Sequence, residues 1–314
     1  MSKKYYFSFI DDVIWLFRDL TRQRPKSLFD NPFLKILKNA HDQYGLKVQL
    51  NIFYRTDFAY GIDEFNLSEM TDAYKEEFKE ASDWLKFGAH SLQEFPDYPF
   101  INASYDDVYK IFNMIKSEVF RFAGEDSFAY GLIPHWLPVS FDGCRALYDS
   151  GVKIMSVSAG ITKDYDGDPL KLPYGHSARL LQNRKSESRL FTRDTRDTAI
   201  ESGLCAYNHF SDESLYDNDK DLTYITDEKT GLIFKKLDDN FDLNLFTLEE
   251  LKEELKRRKD HTLMCIGNHE QYYHKDYYAY QSEYEEKIYE MARTLKEDGR
   301  ECIFIHEIPL LADK

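Results

Sequence analysis

Short apolar runs alternate with amphipathic segments along most of this chain. Runs rich in β-branched and aromatic residues predict strands at 5–10, 47–53, 85–90, 128–133, 152–157, 262–266 and 301–305. Between most of them, apolar residues recur at the three- and four-residue spacing of an amphipathic helix, most clearly at 33–41, 68–84, 104–122, 140–150, 248–255 and 284–295. Alternation of this kind predicts parallel strands joined by right-handed crossovers.

Seven strands in such an order fit either a barrel or a doubly wound sheet. A doubly wound dinucleotide-binding sheet would have a glycine-rich phosphate motif after its first strand, and this sequence has none there. We therefore predict an α/β fold in which residues 1–314 form a single barrel domain of parallel strands.

One segment, residues 160–246, interrupts the alternation with a polar stretch. Within it, residues 222–226 and 232–235 flank a turn at 227–231 and predict a β-hairpin. The segment follows the fifth predicted strand, so we expect an insertion whose hairpin covers the carboxyl-terminal rim of the barrel. It also contains the arginines Arg179, Arg184, Arg189, Arg193 and Arg196. These predict either a basic patch for an acidic ligand group or salt bridges with nearby acids.

Composition narrows the classes of partner. The 41 basic and 56 acidic residues give a net charge of −15, which argues against nonspecific binding to nucleic acid or to an anionic membrane. No run reaches the roughly 18 apolar residues of a membrane span, and the first residues do not have the pattern of a signal peptide. The four cysteines form no CxxC pair. We therefore expect reduced, buried thiols and a cytoplasmic location.

Acidic residues and histidines follow three of the predicted strands. They are Asp11, Asp12, His90, Glu94, His269 and Glu270. The carboxyl ends of barrel strands converge on one rim, where the catalytic groups of such folds lie. Neighbouring aspartates on a strand alternate in direction, so one can bind a metal while the other acts on a proton. A histidine and a carboxylate four residues apart suit a shared divalent ion.

Three motifs resemble those of the polysaccharide deacetylase family: Phe9-Ile10-Asp11-Asp12, His90-Ser91-Leu92-Gln93-Glu94 and Met264-Cys265-Ile266-Gly267-Asn268-His269. The resemblance covers nearly all of the chain except residues 160–246. It implies a distorted (β/α)7 barrel with a metal site, and hydrolysis of amide (N-acetyl) groups on a carbohydrate. It also implies that Asp11 is the general base, that Asp12 and His90 bind the metal, and that His269 is the general acid.

Two positions depart from the pattern of that family. Glu94 stands where the family has a second metal-binding histidine, so we expect Asp12, His90 and Glu94 to hold one divalent ion, with zinc as the first choice. Residues 133–138 lack the arginine that orients the catalytic aspartate in the family. We expect His135 and Trp136, in that segment, to bind substrate together with Glu270, and Trp136 to act as a stacking platform.

Two other functions are open at this point. The two departures would also suit a carbohydrate-binding barrel whose catalytic site is degraded. The run Gly267-Asn268-His269-Glu270 matches a metallophosphoesterase motif, but the Asp-x-His motif that begins the site of that family is absent. The predicted ligand is a carbohydrate or a small N-acetylated molecule, with no nucleic-acid or membrane partner.

Overall fold

A computed structural model describes residues 3–56, 64–96, 98–137, 139–157, 224–236, 240–277 and 279–311. The strands in these residues are β1 (Tyr5–Val13), β2 (Val48–Phe53), β3 (Leu85–Ser91), β4 (Gly131–Leu132), β5 (Ile154–Val157), β6 (Tyr224–Thr226), β7 (Ile233–Lys236), β8 (Asn240–Asp242), β9 (Leu263–Gly267) and β10 (Glu301–Cys302). The helices are α1 (Trp15–Gln23), α2 (Pro32–Tyr44), α3 (Lys75–Glu80), α4 (Tyr105–Phe122), α5 (Phe141–Asp149), α6 (Leu248–Arg257) and α7 (Tyr284–Glu297).

Two sheets of mainly parallel strands make up the wall of a barrel. One sheet has the order β3–β2–β1–β9–β8, and the other has the order β4–β5–β7–β6. They meet at a seam between β3 and β4, where a parallel bridge pairs Phe87 with Phe128 and the Ala129 N–H donates to the Phe87 carbonyl at 2.8 Å. The predicted α/β fold with a wall of parallel strands is confirmed.

On the opposite side of the barrel, two short strands lie between β5 and β9. β7 pairs in parallel with β5, and β8, which follows β7 along the chain, pairs in parallel with β9. β7 and β8 therefore share the wall position between β5 and β9. Together with β1 to β5 and β9, they give seven wall positions among the described residues, in agreement with the predicted (β/α)7 barrel.

The seventh predicted strand does not lie in this wall. Residues 301–305 contribute only β10, which pairs with the first two residues of β1. The chain then enters a 3₁₀ helix, Ile305–Leu311, whose Ile305 and Ile308 pack with Phe7 in the barrel interior. This segment therefore closes the amino-terminal end of the barrel.

The predicted hairpin is formed by β6 and β7, which pair in antiparallel fashion. Its turn precedes β7 and contacts the end of α5, where Gly231 lies against the ring of Tyr148. Our expectation that the hairpin covers the carboxyl-terminal rim is wrong. β7 is itself a wall strand parallel to β5, so the turn before it must lie at the amino-terminal end. Residues 158–223, with the five arginines, lie outside the described residues, and the insertion at 160–246 stays a prediction.

Apolar side chains form one layer inside the barrel and another between the wall and the helices. β5 shows the alternation between them, because Ile154 belongs to the interior cluster whereas Met155 packs in the outer one. The interior cluster consists of Tyr5, Phe7, Phe9, Ile133, Ile154, Leu263, Cys265, Ile303, Ile305 and Ile308. On β1, the interior-facing row of apolar residues ends where the aspartates begin.

Two helices differ from the sequence prediction. Residues 68–84 do not form one helix, because the chain becomes extended at Met70 and the Thr71 hydroxyl accepts a hydrogen bond from the Ala73 N–H. α1 was not predicted at all. Its N-cap residue is Ile14, whose side chain offers no oxygen to the first helical N–H groups.

Two predictions on thiols and membranes can be compared with the structure. Cys144, Cys265 and Cys302 are buried free thiols, as expected, and Cys205 lies outside the described residues. In the described part of the chain, no helix is long and apolar enough to cross a membrane.

The contact between β4 and the closing 3₁₀ helix provides a test of the packing. A Cβ atom on Gly131 would lie 2.0 Å from Ile305 Cγ2. We expect Gly131→Ala to lower the free energy of unfolding by about 1–3 kcal/mol through overpacking. In urea unfolding, Ile305→Ala should recover part of this loss when it is combined with Gly131→Ala, although it is destabilising alone. Additive effects of the two substitutions would contradict this packing.

Candidate metal centre

A β-bulge on β1 brings both aspartates to the carboxyl-terminal end of the barrel. Ile10 pairs with Leu50 and Val13 with Ile52, so Asp11 and Asp12 together oppose a single residue of β2. Asp12 has a left-handed backbone, with φ at 63°. Bulges next to active sites commonly redirect side chains in this way, and an aspartate tolerates the left-handed region better than most residues. Asp12 is therefore turned out of the regular alternation of the strand.

A second bulge places His90 at the same end of the barrel. On β3, Ala89 pairs with Ile52 and Ser91 with Phe53, which leaves His90 between them as the extra residue. The His90 Nδ1–H donates to the Ile133 carbonyl at 2.7 Å. The ring is buried, and its Nε2 lies 3.2 Å from Asp12 Oδ1.

The third member of the cluster is His135, in the loop after β4. Its main-chain N–H donates to the His90 carbonyl at 3.2 Å, across the seam between the two sheets. Its Nε2–H donates to the Glu94 main-chain carbonyl at 2.9 Å, so its Nδ1 faces Asp12 Oδ1 at 3.3 Å and His90 Nε2 at 3.1 Å. Phe53 packs against both imidazole rings. The sequence analysis predicts that His135 binds substrate, and no motif in the sequence indicates its contact with Asp12.

Asp12 Oδ1, His90 Nε2 and His135 Nδ1 form a triangle with sides of 3.1–3.3 Å. Each histidine donates its other ring proton to a main-chain carbonyl. The nitrogen atoms within the triangle therefore present lone pairs in the neutral tautomers. Three acceptors this close repel one another unless a proton or a cation lies among them.

The triangle fits a divalent ion in size and in chemistry. Ligands about 2.1 Å from an ion lie about 3.4 Å apart in tetrahedral geometry and about 3.0 Å apart in octahedral geometry. The observed sides fall between these values. Two imidazoles and a carboxylate are a common ligand set for a catalytic metal with open positions, and histidine ligands usually donate their other ring N–H to an outer acceptor, as both do here. Asp12, His90 and His135 could therefore hold a divalent ion, but the geometry does not single out zinc.

Glu94, which we had predicted to be a metal ligand, lies behind this triangle. Its Oε1 is 3.9 Å from His135 Nε2, the nitrogen that points away from Asp12. The Gln271 amide donates to Glu94 Oε2 at 3.2 Å and to Asp12 Oδ2 at 2.9 Å, so one side chain links the two carboxylates. The structure thus places His135, and not Glu94, beside Asp12 and His90.

The two aspartates are in different electrostatic surroundings. Burial raises the pKa of Asp11 to about 7, and the charges of Asp12 and Asp242 add to the increase, whereas His90 and Asn51 oppose it. Burial would also raise the pKa of Asp12, but a His135 or His90 ring that carries a proton and donates it to Asp12 holds that pKa well below its ordinary value. Asp12 is therefore the aspartate that stays ionised at neutral pH.

His269 lies at the edge of the cluster, after β9. Its Nδ1 is 3.1 Å from Asn244 Oδ1, and its Nε2 is 3.9 Å from Asp12 Oδ2. The side chain is 29% exposed, whereas those of His90 and Asp12 are almost fully buried. His269 therefore joins the buried cluster to the solvent-accessible mouth. Neither Asn244 nor Gln271 was identified from the sequence, since neither belongs to a recognisable motif.

Glu270, predicted to bind substrate, has a structural role instead. It is fully buried, and its carboxylate accepts hydrogen bonds from the main-chain N–H groups of Ile14, Trp15 and Leu16 at 2.6–2.9 Å. These are the N–H groups at the start of α1, which have no partner within the helix. Glu270 therefore caps α1, a role that the side chain of Ile14 cannot fill. Because its carboxylate is occupied by these three hydrogen bonds, it does not provide the acidic group of a metallophosphoesterase motif.

Trp136 was predicted to be a stacking platform for a sugar. It is half-buried and lies against Tyr98, with ring centroids 5.0 Å apart and planes inclined by 36°. One face of the indole is thus already covered. Trp136 and the following Leu137 both have left-handed backbones, with φ at 60° and 75°. The loop that carries His135 is therefore tightly turned.

No model of a known protein family matches this chain, and no curated protein is detectably similar to it. A solved 4-α-glucanotransferase from Thermococcus litoralis aligns with 100% of the chain at 10% identity and a TM-score of 0.53, and the chain spans 41% of its length. A family 4 acetyl xylan esterase from Clostridium thermocellum, solved with a cobalt ion, aligns with 99% of this chain and 92% of its own length (12% identity, TM-score 0.44). A mutant of a CE4 family pseudoenzyme with restored activity aligns with 98% and 67%, respectively (12% identity, TM-score 0.39). At these identities, the likeness to the glucanotransferase is one of fold.

The cap on α1 can be tested by substitution. In Glu270→Gln, the amide keeps one acceptor oxygen for three N–H donors and brings its own NH2 group against them. We expect the free energy of unfolding to fall by about 3 kcal/mol. Urea unfolding followed by circular dichroism measures this, with the exposed Glu286→Gln as the control for loss of a charge. Equal stabilities of the two variants would show that the carboxylate does not cap α1.

Proposed function

We propose that this protein is a divalent-metal-dependent hydrolase that cleaves amide bonds, with N-acetyl groups on a carbohydrate as its substrates. The observation that carries the proposal is the triangle of acceptor atoms from Asp12, His90 and His135. The carbohydrate part rests on the resemblance of the motifs around Asp11, His90 and His269 to the polysaccharide deacetylase family. A cytoplasmic location and zinc as the metal remain parts of this proposal.

In this proposal, Asp12, His90 and His135 hold the ion. A divalent ion bound there supplies a Lewis acid, which lowers the pKa of water and polarises an acyl carbonyl. The protein keeps these ligands in place through the Ile133 and Glu94 carbonyls and through the Gln271 amide. Glu94 contributes to the surroundings of His135 and does not act as a ligand.

Asp11 is the proposed general base. Its Oδ1 accepts a hydrogen bond from Asn51, and among the described residues its Oδ2 has no hydrogen-bond partner. This second oxygen can therefore take the proton of the attacking water. A positioned carboxylate in such a role typically contributes a factor of about 10²–10⁴ to the rate.

His269 is the proposed general acid. Asn244 holds its Nδ1, which leaves Nε2 directed towards Asp12 and the mouth of the barrel. From Nε2, a proton can pass to the departing amine as the C–N bond breaks. The net reaction adds water across the amide bond and leaves a carboxylate and an amine.

The second candidate function is a carbohydrate-binding protein without turnover. Two observations favour it: Glu94 stands where the family motif has a histidine, and residues 133–138 contain no arginine. This candidate makes the same prediction for sugar binding as the enzyme does. It differs from the enzyme in predicting no hydrolysis of the bound sugar at the barrel mouth.

Metal binding tests the first part of the proposal. Protein stripped with chelator should take up one equivalent of zinc or cobalt in calorimetry, and His135→Ala and His90→Ala should each abolish this uptake. Glu94→Gln should retain it with at most about a 10–100-fold loss of affinity, as expected for an outer partner. His261→Ala serves as a matched histidine control, since His261 precedes β9 at the other end of the barrel. Uptake that survives His135→Ala but not Glu94→Gln would restore Glu94 as the ligand and exclude this site.

Turnover tests the second part. Acetate release from N-acetylated sugars and N-acetylated peptides should be measurable in the metal-loaded wild type. Asp11→Asn and His269→Gln should lower kcat by about 10²-fold or more while they leave metal uptake intact. Sugar binding without acetate release in the wild type, and unchanged in Asp11→Asn, would support the binding protein and reject the hydrolase.

A further inference from the structure

A chain of buried amide groups leads from the barrel wall to Asp11. The Asn51 Nδ2–H donates to Asp11 Oδ1 at 2.6 Å, and the Gln49 Nε2–H donates to Asn51 Oδ1 at 2.7 Å. The Gln49 amide also donates to the main-chain carbonyl of Gly131 at 2.9 Å. Asn51 and Gln49 are almost completely buried, so neither exchanges these partners for water.

The direction of every hydrogen bond in this chain is determined by its far end. A main-chain carbonyl can only accept, so Gln49 must present its NH2 group to Gly131. The same NH2 group meets Asn51, which must therefore present its oxygen to Gln49 and its NH2 group to Asp11. The amide of Asn51 cannot rotate by 180° without opposing two donors on one side and two acceptors on the other.

The space around these amides is also restricted. On the adjacent strand β3, a Cβ atom on Gly88 would lie 2.5 Å from Asn51 Oδ1 and 2.6 Å from Gln49 Nε2. The two amides occupy the volume that a side chain at position 88 would need. Packing thus fixes their positions, just as the hydrogen bonds fix their direction.

We infer that Asn51 is the positioning residue for Asp11, which it orients by a hydrogen bond to one carboxylate oxygen so that the other faces the reacting water. This inference rests on the proposed function. In the polysaccharide deacetylase pattern an arginine orients the catalytic aspartate, and here a neutral amide on β2 does so from inside the barrel. Asn51 touches neither substrate nor metal in this assignment and acts only through Asp11.

Two substitutions remove the orienting bond by different routes. Asn51→Leu replaces the amide by an apolar group of similar shape, and Gly88→Ala displaces the amide pair without altering Asp11 or Asn51. Both should lower kcat by about 10²-fold, the cost of misplacing a catalytic group by about 1 Å, with KM and zinc uptake unchanged. Ser156→Ala removes another buried polar atom on a different wall strand and should leave kcat unaltered.

The results separate this inference from the proposed function. Wild-type kcat in Asn51→Leu, or a fall in kcat accompanied by loss of zinc uptake, would overturn the role of Asn51. If the wild type releases no acetate, the proposed function fails. Crystal structures of the wild type and of the two variants then test the role of Asn51 separately. Positioning requires the Asp11 carboxylate to rotate or to take two orientations in Asn51→Leu and Gly88→Ala. An Asp11 orientation identical to that of the wild type would reject it.

Discussion

Two main-chain carbonyl groups determine what the mouth of this barrel can do. The Ile133 carbonyl takes the ring proton of His90, and the Glu94 carbonyl takes that of His135. Ile133 lies two residues before His135, and Glu94 lies in the loop that follows His90 and β3, so each segment orients the histidine of the other. Because main-chain oxygens can only accept hydrogen bonds, both rings in their neutral form turn bare nitrogen atoms towards Asp12. The acceptor triangle, and with it the case for a metal, follows from this reciprocal arrangement.

Much of the fold could be predicted from the sequence because its signals are local. Alternating apolar runs indicated the parallel wall strands, and the residues after them indicated the rim where Asp12 and His90 meet. β7 was predicted only as a hairpin strand and not as part of the wall, and β8 was not predicted, because both strands are short and lie in a polar part of the chain. α1 was missed because its cap is Glu270, more than 250 residues away along the chain.

The site was predicted less completely, for a related physical reason. Motif spacing relates residues on one strand end, so it led from His90 to Glu94, whereas the actual neighbour of His90 comes from the loop after β4. Spacing along one segment does not indicate which residue of a neighbouring loop lies beside His90. Asn51 and Gln49 did leave a signal: two amides at alternate positions in an otherwise apolar strand would point to the same face, which here is the barrel interior.

The triangle of Asp12, His90 and His135 spans the seam between β3 and β4. In the described part of the wall, this seam is held by the Phe87–Phe128 bridge and by the hydrogen bond from His135 to the His90 carbonyl. Asp12 and His90 belong to one sheet, while His135 follows β4 of the other. An ion bound by all three residues would cross-link the sheets, and its binding free energy would add to the free energy of unfolding of the barrel. The same atoms would then form the reaction centre and stabilise the contact between the two sheets, so removal of the ion would destabilise the wall along this seam.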